Sequence, residues 1–103
     1  MDNMNERLKR INGLAGQLHD SLAAADAFTF GSLAEHVDEV RDLQAAGDEH
    51  WKAETMDIII HGYLMLDRHD VSPADMDALM TRRLGRFEEK ITGALKRRME
   101  ERE

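Results

Sequence analysis

DEHWKAETMDIIIHGYLMLDRH, residues 48–69, carries apolar side chains at almost every angle a helix can present. Successive helical residues turn by about 100°, so His50, Glu54, Asp57 and His61 share a stripe about 60° wide, and Arg68 returns to it two turns later. Trp51, Met56, Ile58, Ile59, Ile60, Tyr63, Leu64, Met65 and Leu66 occupy nearly all the rest. A helix that is apolar almost all round is normally buried. Two carboxylates and two imidazoles in line along it therefore need a reason. One is that the stripe is the helix's single solvated edge. The other is that it lines a metal or phosphate site inside a helical bundle. Taken alone, the helix favours the solvated edge, since polar stripes usually face water.

Around this stretch there is room for one domain of 103 residues with a real core and a modest margin of stability. Apolar residues make up 42% and charged residues 34%, a globular balance and not a disordered or membrane-spanning one. The longest apolar run, Ile58 to Leu66, is broken by His61 and too short to cross a bilayer, so no membrane partner is expected. The N-terminus, MDNMNERLKR, has no apolar signal core. The absence of cysteine excludes disulfides and thiolate metal sites and fits a cytoplasmic protein. A net charge of -7 argues against general nucleic-acid binding, because a phosphate backbone would be repelled. A divalent cation can still bring a polyphosphate to such a surface.

The pattern predicts an all-α domain over residues 1–103 with helices at about 5–22, 32–46, 48–69 and 73–98. Leu8, Ile11, Leu14, Ala15, Leu18 and Leu22 give the first its apolar face. Gly13 and Gly16 within it suggest close approach of a neighbouring helix, and His19 reads as a packing or surface histidine. Residues 23–31 (AAADAFTFG) lose the period and read as a loop pinned by Phe28 and Phe30. Ser32 with Glu35 forms a capping-box pattern opening helix 2, whose buried stripe is Leu33, Val37, Val40 and Leu43. Gly47 is a natural C-terminal cap and Asp48 offers the next N-cap, so helices 2 and 3 should form an antiparallel hairpin. Ser72-Pro73-Ala74-Asp75 opens helix 4 with a cap, a first-position proline and an acid. Met76, Met80, Leu84, Phe87, Ile91 and Leu95 line its apolar face, and the charged tail to 103 is expected to fray. That face outruns helix 3, which together with seven methionines points to a bundle completed by oligomerisation, as a homodimer or homotetramer.

Asp38 and Asp42 point away from the apolar stripe of helix 2 and should be solvated. His36 and Glu39 lie at its margin, with Glu35 one step further out. In a hairpin this margin can face Glu54 and Asp57, so that oxygen and nitrogen donors converge from two helices. Carboxylates suit Mg²⁺ or Mn²⁺, which keep waters and bind substrate phosphates. The alternative is an acidic hairpin surface.

LAEHVDEVRDL followed by WKAETMDIIIHGYLML resembles the paired motifs of the MazG-like, all-α nucleoside triphosphate pyrophosphohydrolases: Glu-x-x-Glu on one helix, Glu-x-x-Asp on the next. The resemblance runs from Ser32 to about Lys90 and includes the short hairpin and the arginine-bearing helix after it. Phosphoribosyl-ATP pyrophosphohydrolase belongs to the same superfamily, and its Asp-apolar-His pattern is similar to Asp57 to His61. The resemblance implies a four-helix MazG-like bundle holding Mg²⁺, with Mn²⁺ as an alternative. It assigns the metal to Glu39, Glu54 and Asp57, with His36 or Glu35 as the further ligand, and makes Glu39 the expected catalytic carboxylate. The first acid of the first motif falls at His36, a departure that either rebuilds the site or weakens it, and Glu35 is a possible substitute ligand. Arg86-Phe87 resembles a phosphate-contacting pair of the family, while Leu79 and Arg83 depart from it.

The expected activity is metal-dependent hydrolysis of a nucleoside triphosphate to the monophosphate and pyrophosphate, in nucleotide house-cleaning. Arg83, Arg86 and Lys90 form a basic stripe for the phosphates; the same arginines could simply pair with Glu88, Glu89 and solvent. His61 either hydrogen-bonds substrate or packs as a structural histidine. Phosphoribosyl-ATP is the second enzymatic option. A catalytically weakened helical oligomer or binding module, suggested by His36, is the alternative of a different class.

Overall fold

The computed structural model describes residues 3–102. Among them are four helices and no strand: α1 (Met4–Ala15), α2 (Leu22–Ala46), α3 (Trp51–Arg68) and α4 (Pro73–Glu101). No described helix is long and apolar enough to cross a membrane. The chain divides into two compact units, the first running through Val71 and the second from Ser72 onward.

In the first unit, α2 and α3 make the most extensive contact, and α1 also packs on α3. The hairpin is antiparallel, because Asp26 and Thr29, early in α2, meet Arg68, late in α3, while His36 meets Glu54. Gly47 ends α2 in the left-handed region (φ 71), where glycine lacks the Cβ penalty. Asp48 accepts a hydrogen bond from the His50 N–H at 2.9 Å, so it caps the turn and α3 begins at Trp51, three residues later than expected.

Two boundaries differ in a larger way. Helix 1 stops at Ala15 instead of continuing to 22, and residues 23–31 are helical, not a loop. The start of α2 is set by Ser21, whose Oγ accepts from the Ala24 N–H at 3.0 Å. Ser32 and Glu35 are consequently interior to α2 and do not open it. The large-residue period is lost in AAADAFTFG, yet alanine is the strongest helix former, and the inward face continues in smaller residues. Ala25 and Thr29 are buried, and Ser32, Leu33, His36, Val40 and Leu43 follow half-buried at helical spacing. Phe28 and Phe30, expected to pin a loop, are exposed on the helix, as is Val37. Among the described residues no neighbouring helix approaches Gly13 or Gly16: a Cβ at Gly13 would meet nothing, and one at Gly16 only its own turn.

In the second unit, Ser72 Oγ accepts from the Asp75 N–H at 3.2 Å, with Pro73 in the first turn, as the sequence predicts. α4 does not fray after Lys96 but remains helical to Glu101, in keeping with the helix propensity of Lys, Arg, Met and Glu. Its Met80, Leu84, Phe87, Ile91, Leu95 and Met99 are exposed.

The unexpected feature is the orientation of α3. Its polar stripe faces into the hairpin, whereas Met56, Ile59 and Ile60 are exposed on the outside. The Glu54 side chain retains 13% of its exposure and that of Arg68 11%. The solvated-edge reading of the stripe therefore does not hold along its length. Only His50, at the N-terminal end, stays largely in water.

Candidate metal centre

Glu54 reaches this interior because it sits one turn into α3, on the side turned toward α2. There its Oε2 lies 2.5 Å from His36 Nδ1. His50 Nε2 lies 3.5 Å from Glu54 Oε1, and Glu39 Oε2 is 3.9 Å from His36 Nδ1. Asp57, one turn further along α3, completes a group in which one donor atom each from His36, Glu54 and Asp57 lie within 4.8 Å of one another. Donors on a common cation are at most about 4.4 Å apart, twice a bond of about 2.2 Å. The group is therefore compact enough to surround one ion, provided that His36 Nδ1 and Glu54 Oε2, now hydrogen-bonded at 2.5 Å, part to admit it. Imidazole nitrogen with two carboxylate oxygens is a donor set that suits a divalent cation, and these residues fit one.

The carboxylates divide their charge unequally. A hydrogen bond to Glu54, with repulsion from its charge, raises the Glu39 carboxyl above the ordinary carboxylate range. The same hydrogen bond from Glu39, with another from His36, holds Glu54 below it. The proton thus favours Glu39, the more exposed of the two, and Glu54 is the ionised partner. His61 stands beside this group with its ring centroid 5.4 Å from that of His36. Burial lowers its pKa, and the nearby His36 charge lowers it further, so a neutral imidazole is favoured.

His36, Glu39, Glu54 and Asp57 are thus brought together, and His61 borders them. Glu35 is exposed and lies outside the donor group. Arg83, Arg86 and Lys90 all lie on α4, in the second unit, where they line a groove of about 280 Å³ with Phe87 and Glu89. Arg83 stacks over the Phe87 ring at 5.7 Å, and Arg86 lies 4.0 Å from Glu89. In the first unit, a cleft of about 200 Å³ opens between the helices, with Ile11, His19, Phe28, Thr29, His61 and Arg68 among its walls. His19 packs against Phe28 with ring centroids 5.1 Å apart.

Sequence reasoning missed a second polar assembly at the far end of the hairpin. Arg68 donates to Thr29 Oγ1 at 2.6 Å and to Asp26 Oδ1 at 3.1 Å. His69 Nε2 lies 2.6 Å from Asp26 Oδ2. Asn12 of α1 donates to Asp67 Oδ2 at 2.7 Å and to the Leu64 carbonyl at 3.0 Å. This assembly fastens all three helices and fixes the rotation of α3 that turns Glu54 and Asp57 inward. Arg68's place on the stripe was the available signal, but its partner Asp26 lay in the segment read as a loop.

Asp26 gives the assembly a pH dependence. The hydrogen bond to His69, supported by Arg68, holds its carboxyl below the usual range. Its folded pKa lies below the unfolded one, so the folded state binds fewer protons through the acid range. The stabilisation is present above about pH 4 and is lost as pH falls through the folded pKa. Asp26→Asn should lower Tm at neutral pH and flatten its fall between pH 5 and 3. An unchanged acid limb in a thermal melt series would count against the assignment.

No protein-family model, curated protein or solved structure matches this chain.

Proposed function

We propose that the protein is a metal-dependent nucleotide pyrophosphohydrolase of MazG-like type, cleaving a nucleoside triphosphate to the monophosphate and pyrophosphate. The observation that carries this reading is the convergence of His36, Glu54 and Asp57 from two helices, on a polar stripe turned inward. His36, Glu54 and Asp57 would hold a divalent cation, Mg²⁺ or Mn²⁺, whose chemistry there would be Lewis-acid charge for the phosphoryl oxygens and a lowered pKa for water.

The remaining work belongs to the chain. Glu54 and Asp57 provide the negative charge that retains the cation, and His36 adds a nitrogen donor. Glu39 is the group that accepts the proton of the attacking water as the α–β phosphoanhydride is cleaved. The hydrogen bond to Glu54 and the repulsion from its charge raise the Glu39 pKa, which makes it a stronger base than an ordinary carboxylate. His61 lies between the donor group and the cleft that runs to His19 and Phe28, and that cleft receives the nucleoside. Arg83, Arg86 and Lys90, on α4, are the basic residues suited to phosphate through charge-assisted hydrogen bonds.

The same reading includes a second copy of the chain. Met56, Ile59 and Ile60 of α3, and separately the apolar stripe of α4, are exposed in the protomer. A homodimer or homotetramer covers such faces at the least cost.

Colorimetric pyrophosphate release across a panel of nucleoside triphosphates and phosphoribosyl-ATP, with Mg²⁺ and with Mn²⁺, tests the activity. Arg86→Ala should lower kcat/KM by one to two orders of magnitude, about 1.4–2.7 kcal/mol, while Arg97→Ala leaves it unchanged. Equal activity in both variants would remove the phosphate role of the stripe. The second reading, a catalytically weakened helical oligomer or binding module, is favoured by one observation: His36 occupies an oxygen of Glu54 at 2.5 Å. It predicts no pyrophosphate release with any nucleotide or metal.

A further inference from the structure

The geometry points to a centre built for a transition-metal divalent cation of the Mn²⁺, Co²⁺ or Zn²⁺ class in preference to Mg²⁺, with His36 as the residue that makes the choice. This inference rests on the metal-centre reading above and specifies which ion the site takes. His36 is not a bystander at the rim. Its side chain is 21% exposed and it comes from the helix opposite Glu54 and Asp57; the hydrogen bond it makes to Glu54 Oε2 at 2.5 Å would give way to the ion. It is a member of the donor group, whereas Glu39 and Glu35 are not.

An imidazole at this position has two consequences. Mg²⁺ is a hard ion that prefers oxygen and gives up water reluctantly, so it gains little from a neutral nitrogen. Mn²⁺, Co²⁺ and Zn²⁺ accept imidazole readily, with affinity rising along that part of the first-row series. The second consequence concerns charge. An imidazole donor adds no negative charge to the set, which therefore carries less than an all-carboxylate one, and a hard ion depends most on that charge. His61 sits against His36 with ring centroids 5.4 Å apart and can hold the His36 plane by ring contact.

All-carboxylate sites also bind Mn²⁺ somewhat better than Mg²⁺, so the native preference alone is not diagnostic. Its change on altering His36 is. Isothermal titration of the native protein with MnCl₂ and with MgCl₂ should give a Kd at least tenfold lower for Mn²⁺. His36→Glu should bring that ratio down at least fivefold, chiefly by tightening Mg²⁺. A variant-independent measurement accompanies it: electron spin-echo modulation of the Mn²⁺-loaded native protein should show ¹⁴N coupling from one directly bound imidazole. Absence of ¹⁴N coupling, or a ratio unchanged in a folded His36→Glu protein, would overturn the inference while leaving the metal centre in place. No saturable binding of either ion by the native protein would overturn the inference and the metal-centre reading together.

Discussion

Glu54→Gln is expected to reduce kcat/KM for triphosphate hydrolysis by about a thousandfold or more, some 4 kcal/mol of lost transition-state stabilisation. Glu54 is where the polar contacts of the hairpin meet: His36 at 2.5 Å, His50 at 3.5 Å, and the hydrogen bond shared with Glu39. Glutamine keeps the shape of the side chain and can still accept from His36, so the helices should survive. What it removes is the ionised carboxylate on which cation retention depends. It also removes the repulsion that raises Glu39, leaving that group a weaker base. Pyrophosphate release at saturating metal, alongside circular dichroism, checks both parts. Native activity in a folded Glu54→Gln protein would exclude Glu54 from the centre.

Ile59→Glu should have the second large effect, on assembly. Ile59 lies on the outward side of α3, 46% exposed in the protomer, next to Met56 and Ile60. If a second copy covers this side, the variant buries an unpaired carboxylate at the contact, which costs several kcal/mol. The dissociation constant should rise by about a thousandfold or more, since each 1.4 kcal/mol is a factor of ten. Light scattering should show the native protein as a dimer or larger and Ile59→Glu as a folded monomer. A native monomer at micromolar concentration, or an assembled Ile59→Glu protein, would place the contact elsewhere or remove it.

The sequence carried the all-α class, the hairpin and the opening of α4 through signals that act locally. Gly47 and Ser72-Pro73 set chain direction by backbone chemistry alone, and each ended up where its capping role requires. The start of α2 was hidden because its inward face is made of Ala25, Thr29 and Ser32, residues too small or too polar to register in a hydrophobic period. The rotation of α3 was hidden for a related reason. Periodicity says which residues share a face, but not which face turns inward when polar contacts compete with apolar ones. Here Arg68, gripped by Thr29 and Asp26, turns the polar stripe inward, and Met56, Ile59 and Ile60 are left outside. The donor residues themselves were legible because Glu54 and Asp57 are one turn apart and the short link after Gly47 directs them toward His36. Asp26, Thr29 and Asn12 were not, since their partners are 39 or more residues away in sequence.

Thermal unfolding of the native protein against increasing MnCl₂, with Asp57→Asn at the same protomer concentration, tests the central claim most directly. Asp57 belongs to the donor group, and its replacement breaks no side-chain hydrogen bond among the described residues, so the apo fold should be preserved. A ligand bound only by the folded state stabilises it by about 2.7 kcal/mol at a hundred times its Kd. For a chain of this size that corresponds to a Tm rise of about 10 °C or more. The account predicts a saturable rise on that scale in the native protein and none in Asp57→Asn. A native Tm that does not respond to the metal, or an equal response in Asp57→Asn, would contradict it.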